Sequence, residues 1–415
     1  MAPDRPGPAP ARAAAALLAL ALAGCGGKSV TAPPLPPLSR VAIVPRADTL
    51  AVGTRFQFTA TAYDTNDVAV PGAGFQWRST NLSVFAVSGT GLVTARGEGT
   101  ARLVATAGGR SDTASVTVFV RTGWYVQPSG TINTLNGVYA LADGFTAWAV
   151  GDAGTIVATT NAGASWAAQA SNTGFNLNGV WFTSATEGWA VGNGGTVMHT
   201  TDAGGTWARA TNVSASENLN DVFFADAQHG WAVGTSGAIV RTRDGGAHWS
   251  EQHPTANALE SVAFSDTANG WAVGQSGVIV GTHDGGASWY VVQPAVTALT
   301  LKAVWRRSNT LAWAGGATGA FAFSTATTDS LQWNLGSFGA SNQIEGLQFL
   351  DDRTGFAVGS NGNGVVFRTG DGGGTWTAQV SNSAQALRDV WFTDALHGWA
   401  VGTGGRIIHT ATGGQ

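Results

Sequence analysis

Charge is what this chain has least of. Only 11% of its 415 residues are Asp, Glu, Lys or Arg, against about a quarter in an ordinary soluble domain. Lysine is almost missing, with Lys28 and Lys302 as its two copies. At a formal net charge of −4 the chain lacks the cationic excess that binds phosphate backbones or anionic bilayers, which argues against nucleic acid and broad membrane-surface partners. A single cysteine, Cys25, rules out an intramolecular disulfide. The apolar run at residues 13–24 is too short for a good membrane span. What abounds is glycine, with 59 copies, and tryptophan, with 17. Glycine with Ser, Thr and Asn in place of long charged stems favours short strands and tight turns, so the expected class is all-β.

The apolar run follows Arg5 and Arg12, as the core of an export signal does. It ends "LAGC", which resembles the bacterial lipoprotein lipobox. That resemblance implies that residues 1–24 are a signal peptide and that Cys25 is lipidated as the first residue of the mature chain. An ordinary secretory signal with an incidental cysteine is the alternative. Gly26 in place of Asp after the cysteine implies the outer membrane, on its periplasmic side or at the cell surface. Residues 25–40 carry Pro33, Pro34, Pro36 and Pro37 and read as a semi-extended tether.

From 41 to 120, segments such as "FQFTATAYD", "GLVTA" and "TASVTVFV" alternate with period 2 between Gly and Asn turns, the pattern of an antiparallel sandwich. Their order resembles the group 2 bacterial immunoglobulin-like domain, which implies a spacer or adhesion module. Trp77 is expected in its core.

From 121 to 415 a motif recurs about every 42 residues: "AWAVG" at Trp148, then "GWAVG" at Trp189, Trp231, Trp271 and Trp399, with variants at Trp313 and Phe356. Each repeat parses into four strands, of the types "LNDVFF", "GWAVG", "GAIVRT" and "HWSEQ". Four strands per period of about 40–45 residues is the signature of a propeller blade. The expectation is therefore an immunoglobulin-like sandwich followed by a seven-bladed β-propeller with four-stranded blades. Fourth-strand tryptophans stand at 166, 207, 249, 289, 333 and 376, but the chain ends before a seventh. Trp124, one period before Trp166, supplies a spare outer strand near residues 121–130. Pairing it with the last blade would remove both open edges.

The turns between the third and fourth strands read "T-x-D-x-G-x-x-W" and resemble the Asp-box, or bacterial neuraminidase repeat. Asp202, Asp244, Asp284 and Asp371 hold the acidic position and Asn161 replaces it once; the copy near Asp329 is irregular. Here a short acceptor satisfies turn amides, a structural role. The whole 121–415 pattern resembles the photosystem II assembly factor family of seven-bladed propellers, which implies a fold more firmly than a function.

No catalytic constellation emerges. Glycoside hydrolysis needs two positioned carboxylates, and Glu260 and Glu345 share no spacing signal. "GDGGGT" lacks the Lys-Ser/Thr of a phosphate loop. His199 with His409, and Arg241 with Arg368, recur at equivalent strand positions without forming a metal motif. No metal and no cofactor is expected. The informative column follows the leading Leu or Ile of each first strand: Asn136, Asn178, Asn220, Glu260, Lys302, Glu345 and Arg388. Alternation along the strand would turn it into the central channel, opposite the Asp-box turns, as a polar lining or a binding site. Flanking positions are expected to be apolar. Arg306 and Arg307 are a second candidate, at the opposite face. The combined reading is a monomeric, envelope-anchored, non-catalytic scaffold binding a protein. An adhesin or glycan-binding protein is the alternative, and a glycoside hydrolase the one from another class.

Overall fold

The computed structural model describes residues 36–415 apart from 212, 214, 215, 293, 294, 309 and 325–331. The leader, Cys25, most of the tether and Asp329 lie outside the described residues. Among the described residues, no helix is long and apolar enough to cross a membrane.

The first unit is a sandwich of short strands. Ala47–Ala51 runs parallel to Arg110–Phe119, which continues antiparallel to Gly99–Ala107 and then Gln76–Ser79. Arg55–Gln57, Leu92–Ala95 and Phe85–Val87 form the facing sheet, and Leu38–Val44 pairs with Thr59–Asp64. Phe58, Phe85, Val93 and Leu103 are fully buried between them. Trp77 packs against that core as expected while remaining partly buried. Gln76–Ser79 is an edge strand, so its ring reaches the core from the side.

The second unit is a closed ring of seven four-stranded antiparallel sheets. Blades 1 to 6 take consecutive strands, from Leu135–Ala140 through Thr377–Gln379. Blade 7 takes Leu387–Phe392, Gly398–Gly402 and Arg406–Thr410, and its fourth strand is Tyr125–Gln127. Tyr125 pairs with His409, Val126 with Ile408 and Gln127 with Ile407. Trp124, fully buried, packs edge-on against Phe392 at 5.6 Å and donates its Nε1–H to Gln379 of blade 6 at 2.9 Å. Gln127 in turn accepts from Trp166 of blade 1 at 3.1 Å, so the joined strand is tied to both neighbours.

Packing between blades explains the repeated motif. Each "GWAVG" strand is the second of four and buried on both faces, which calls for small residues around one large ring. That ring stacks on the aromatic ending the next blade's inner strand: Trp148 on Phe182 at 3.6 Å, Trp231 on Phe264 at 3.5 Å, Trp313 on Phe349 at 3.8 Å, and Phe356 on Phe392 at 3.5 Å. The leading glycine leaves room for the inner aromatic of its own blade, since a Cβ at Gly230 would sit 2.4 Å from Phe224. Blade 5 ends its inner strand with Arg306 instead. Its guanidinium lies 5.4 Å over Trp271 with the residue only 4% exposed, and burial lowers its pKa to about 10. Arg306 is therefore an inter-blade packing residue and not part of a surface site.

Candidate binding site in the central well

The Asp-box side chains are consumed by their own turns. Asp202 accepts from the hydroxyl of Thr200 at 2.8 Å, from Thr206 N–H at 2.8 Å and from the Thr206 hydroxyl at 2.9 Å. Asp244, Asp284 and Asp371 repeat the arrangement, and Asn161 does so with Thr159 and Ser165. The His248 side chain, ahead of its N–H, holds Asp244 down to about 2, and the Thr375 N–H holds Asp371 down to about 2. These acceptors hold their own turns in shape.

The polar column is different. Asn136, Asn178, Asn220, Glu260, Lys302, Glu345 and Arg388 together ring one cavity of about 220 Å³ around the propeller axis. Strand alternation is not what aims them there. In all seven blades the register of the first strand pair slips at this residue, for example between Leu177 and Gly179. The column residue is thus the extra residue of a β-bulge, which redirects its side chain out of the pleat.

Within the ring, each polar side chain is engaged by a neighbour. Asn136 Nδ2 donates to Leu177 O at 3.0 Å, Asn178 Nδ2 to Leu219 O at 2.7 Å and Asn220 Nδ2 to Leu259 O at 2.8 Å, each crossing to the next blade. Lys302 Nζ lies 3.4 Å from Glu260 Oε2, and Arg388 Nη1 lies 3.4 Å from Glu345 Oε1. Three amides and two ion pairs therefore close the circle.

Below the mouth the cavity continues for about 120 Å³. The next position along the inner strand is not uniformly apolar: Asp221, Ser261 and Asp389 occupy it and line the well. Asp389 Oδ2 accepts Val138 N–H at 2.9 Å, and Asp221 Oδ2 accepts Val262 N–H at 3.0 Å and Ser261 Oγ–H at 2.8 Å. Each thereby satisfies an inner-edge amide of the following blade. Burial raises the pKa of both, Asp389 to about 7 with the Asp221 charge adding to the effect. The sequence signal for them was present as two acids in a column otherwise made of Gly, Ala and Ser.

The well is blind. Two residues further along the strands, Tyr139, Trp181 and Trp391 meet with centroids 4.5 to 5.2 Å apart. Trp305 reaches Trp391 across the axis at 5.9 Å, and Phe223 touches Trp181 at 4.4 Å. These rings form a floor under a polar shaft. The two recurring histidines stay apart: His409 is buried beside the Tyr125 hydroxyl, and His199 stacks on Trp189. Arg241 reaches the turn of the next blade at Gly285 O.

Comparison with known proteins agrees with this architecture. The sequence signature described as Photosynthesis system II assembly factor YCF48 matches residues 124–214 and 208–297, and that of the bacterial Ig-like domain (group 2) matches 37–118. No curated protein matches the chain. Among solved structures, YCF48 bound to a D1 peptide superposes with a TM-score of 0.59 at 21% identity, over 70% of this chain and 96% of that one. YCF48 from Cyanidioschyzon merolae gives 0.58 at 21% identity, over 69% and 98%. A GH74 xyloglucanase from Xanthomonas campestris gives 0.53 at 16% identity, over 71% of this chain and 54% of that one.

Proposed function

Because the chain joins a group 2 bacterial Ig-like domain to a YCF48-like propeller, we propose that it is a lipid-anchored, non-catalytic scaffold of the cell envelope. In this reading it grips a protein partner at the mouth of the propeller well. The observation that carries the reading is the convergence of seven bulge residues, one per blade, on a single closed-bottomed cavity. A bulge conserved through every blade costs ladder hydrogen bonds, and the return is a ring of polar groups that a partner can meet together. That a similar propeller is seen with a D1 peptide supports a protein as the partner class. The non-catalytic part is supported by the pairing of Glu260 and Glu345 with neighbouring cations.

Capture of envelope proteins by the purified chain tests the site. Replacing Glu260 and Glu345 together by Ala unpairs both cations of the ring and should cut capture at least tenfold, since desolvated charges at an interface centre dominate binding. Replacing Arg307 and Arg353 together by Ala, at the Asp-box face, should leave it unchanged. The opposite pattern would move the site to the Asp-box face. Turnover of any glycan in a parallel screen would replace the scaffold reading with a hydrolase.

A further inference from the structure

We propose that the well is a receptor for a primary ammonium group, a lysine side chain presented by the partner. The inference rests on the binding-scaffold reading and gives it a chemical class.

Donors are used up. The three asparagine amides give their N–H groups to neighbouring blades, and Lys302 and Arg388 lie against Glu260 and Glu345. Acceptors are left over. Among the described residues no donor reaches the Oδ1 atoms of Asn136, Asn178 and Asn220, and no cation pairs with Asp221 or Asp389. A group entering the shaft thus meets amide oxygens first and two carboxyl groups beneath them. Trp181, Trp305 and Trp391 line the shaft beneath them, and aromatic rings attract cations. An ammonium on an alkyl stem matches each layer: three N–H donors for separated oxygens, and a compact charge for a narrow space. An anion would have to compete with Glu260 and Glu345 for Lys302 and Arg388 at the mouth, and would meet the two acids below. The groups facing Asp389 and Asp221 are Glu260, Glu345, Lys302 and Arg388, so the two acids supply the negative charge that the mouth pairs do not cancel. With Asp389 titrating at about 7, occupancy should rise with pH through neutrality.

The test uses the full chain with Nα-acetyl-lysine methylamide as probe and the norleucine analogue as its uncharged isostere, read by NMR on the indole N–H signals. The lysine probe should shift these signals saturably at millimolar concentration and bind more weakly at pH 6 than at pH 8, by up to about tenfold. Norleucine should leave them in place. Asp389→Asn, which keeps the acceptor for Val138 N–H, should weaken the lysine probe at least tenfold. If that variant fails to melt cooperatively, Asp221→Asn is read instead. Equal effects of the two probes, or unchanged lysine binding in the Asn variant, would overturn the proposal. If capture depends on Glu260 and Glu345 while lysine behaves as norleucine, the ammonium inference falls and the scaffold reading stands.

Discussion

Asp389 shows how one residue serves two masters. Its carboxylate accepts from Val138 N–H of the adjoining blade and from its own Val390 N–H at 2.8 Å, yet burial, with Asp221 also bearing on it, lifts its pKa to about 7. An unfolded aspartate titrates near 4. The native state therefore binds a proton more tightly than the unfolded state, and this group's contribution is fully present below about pH 4 and lost as pH rises through 7. Asp389→Asn removes the titration but keeps an acceptor. Relative to the parent, its stability in urea should improve progressively from pH 4 to pH 7.5 and then level off. A difference that does not change with pH would show that Asp389 is not the titrating group. Asp244 and Asp371, held down to about 2 by their turns, work in the opposite sense, with support lost as pH falls from about 4 toward 2.

At the scale of the strand, the repeat was legible because it is a packing requirement. A blade's second strand touches both neighbours, so Trp148, Trp189, Trp231, Trp271, Trp313 and Trp399 had to recur with small residues around them. The bulge was not legible. Leu-Asn-Gly-Val reads as plain alternation, and only the paired strand reveals that Asn136 has no partner across the ladder. For the same reason Asp221 and Asp389 escaped notice: their role is to meet an amide on the next blade, and sequence does not say which strand that is. Arg306 misled in the other direction, since an arginine at a strand end usually marks solvent. Here it takes the place of the aromatic that stacks on the preceding blade's tryptophan. The strand Tyr125–Gln127 was announced by an absence, the missing last tryptophan. Trp124 is fully buried, so Trp124→Ala should destabilise the propeller by about 3–5 kcal/mol, as such truncations in packed cores do. Denaturant unfolding followed by tryptophan fluorescence measures it. A loss below about 1 kcal/mol would mean that closure contributes little.

For the molecule as a whole, the two units meet at one face of the ring. The Arg55 guanidinium of the sandwich lies 3.5 Å over the ring of Phe145, in the connection between the first two strands of blade 1. That connection shares its face with the Asp-box turns, as Ala162 N–H bonded to Phe145 O shows. The well opens on the other face, so the sandwich leaves its mouth unobstructed. Under the lipid-anchor proposal the tether reaches the ring from behind and presents the mouth outward. Cys25→Ala should then shift the protein from the detergent phase to the aqueous phase and abolish fatty-acid labelling, and retention in the detergent phase would count against the anchor. Closure through Tyr125 and His409, 284 residues apart, also puts a clock on biosynthesis. At about 5–20 residues per second, the first propeller strand waits roughly 15 to 60 s for the strand it pairs with. Until that strand is made, the growing arc of blades keeps a raw edge at each end. A nascent chain cut short before Arg406 would keep both edges, so closure of this blade reports that translation has passed the strand Arg406–Thr410.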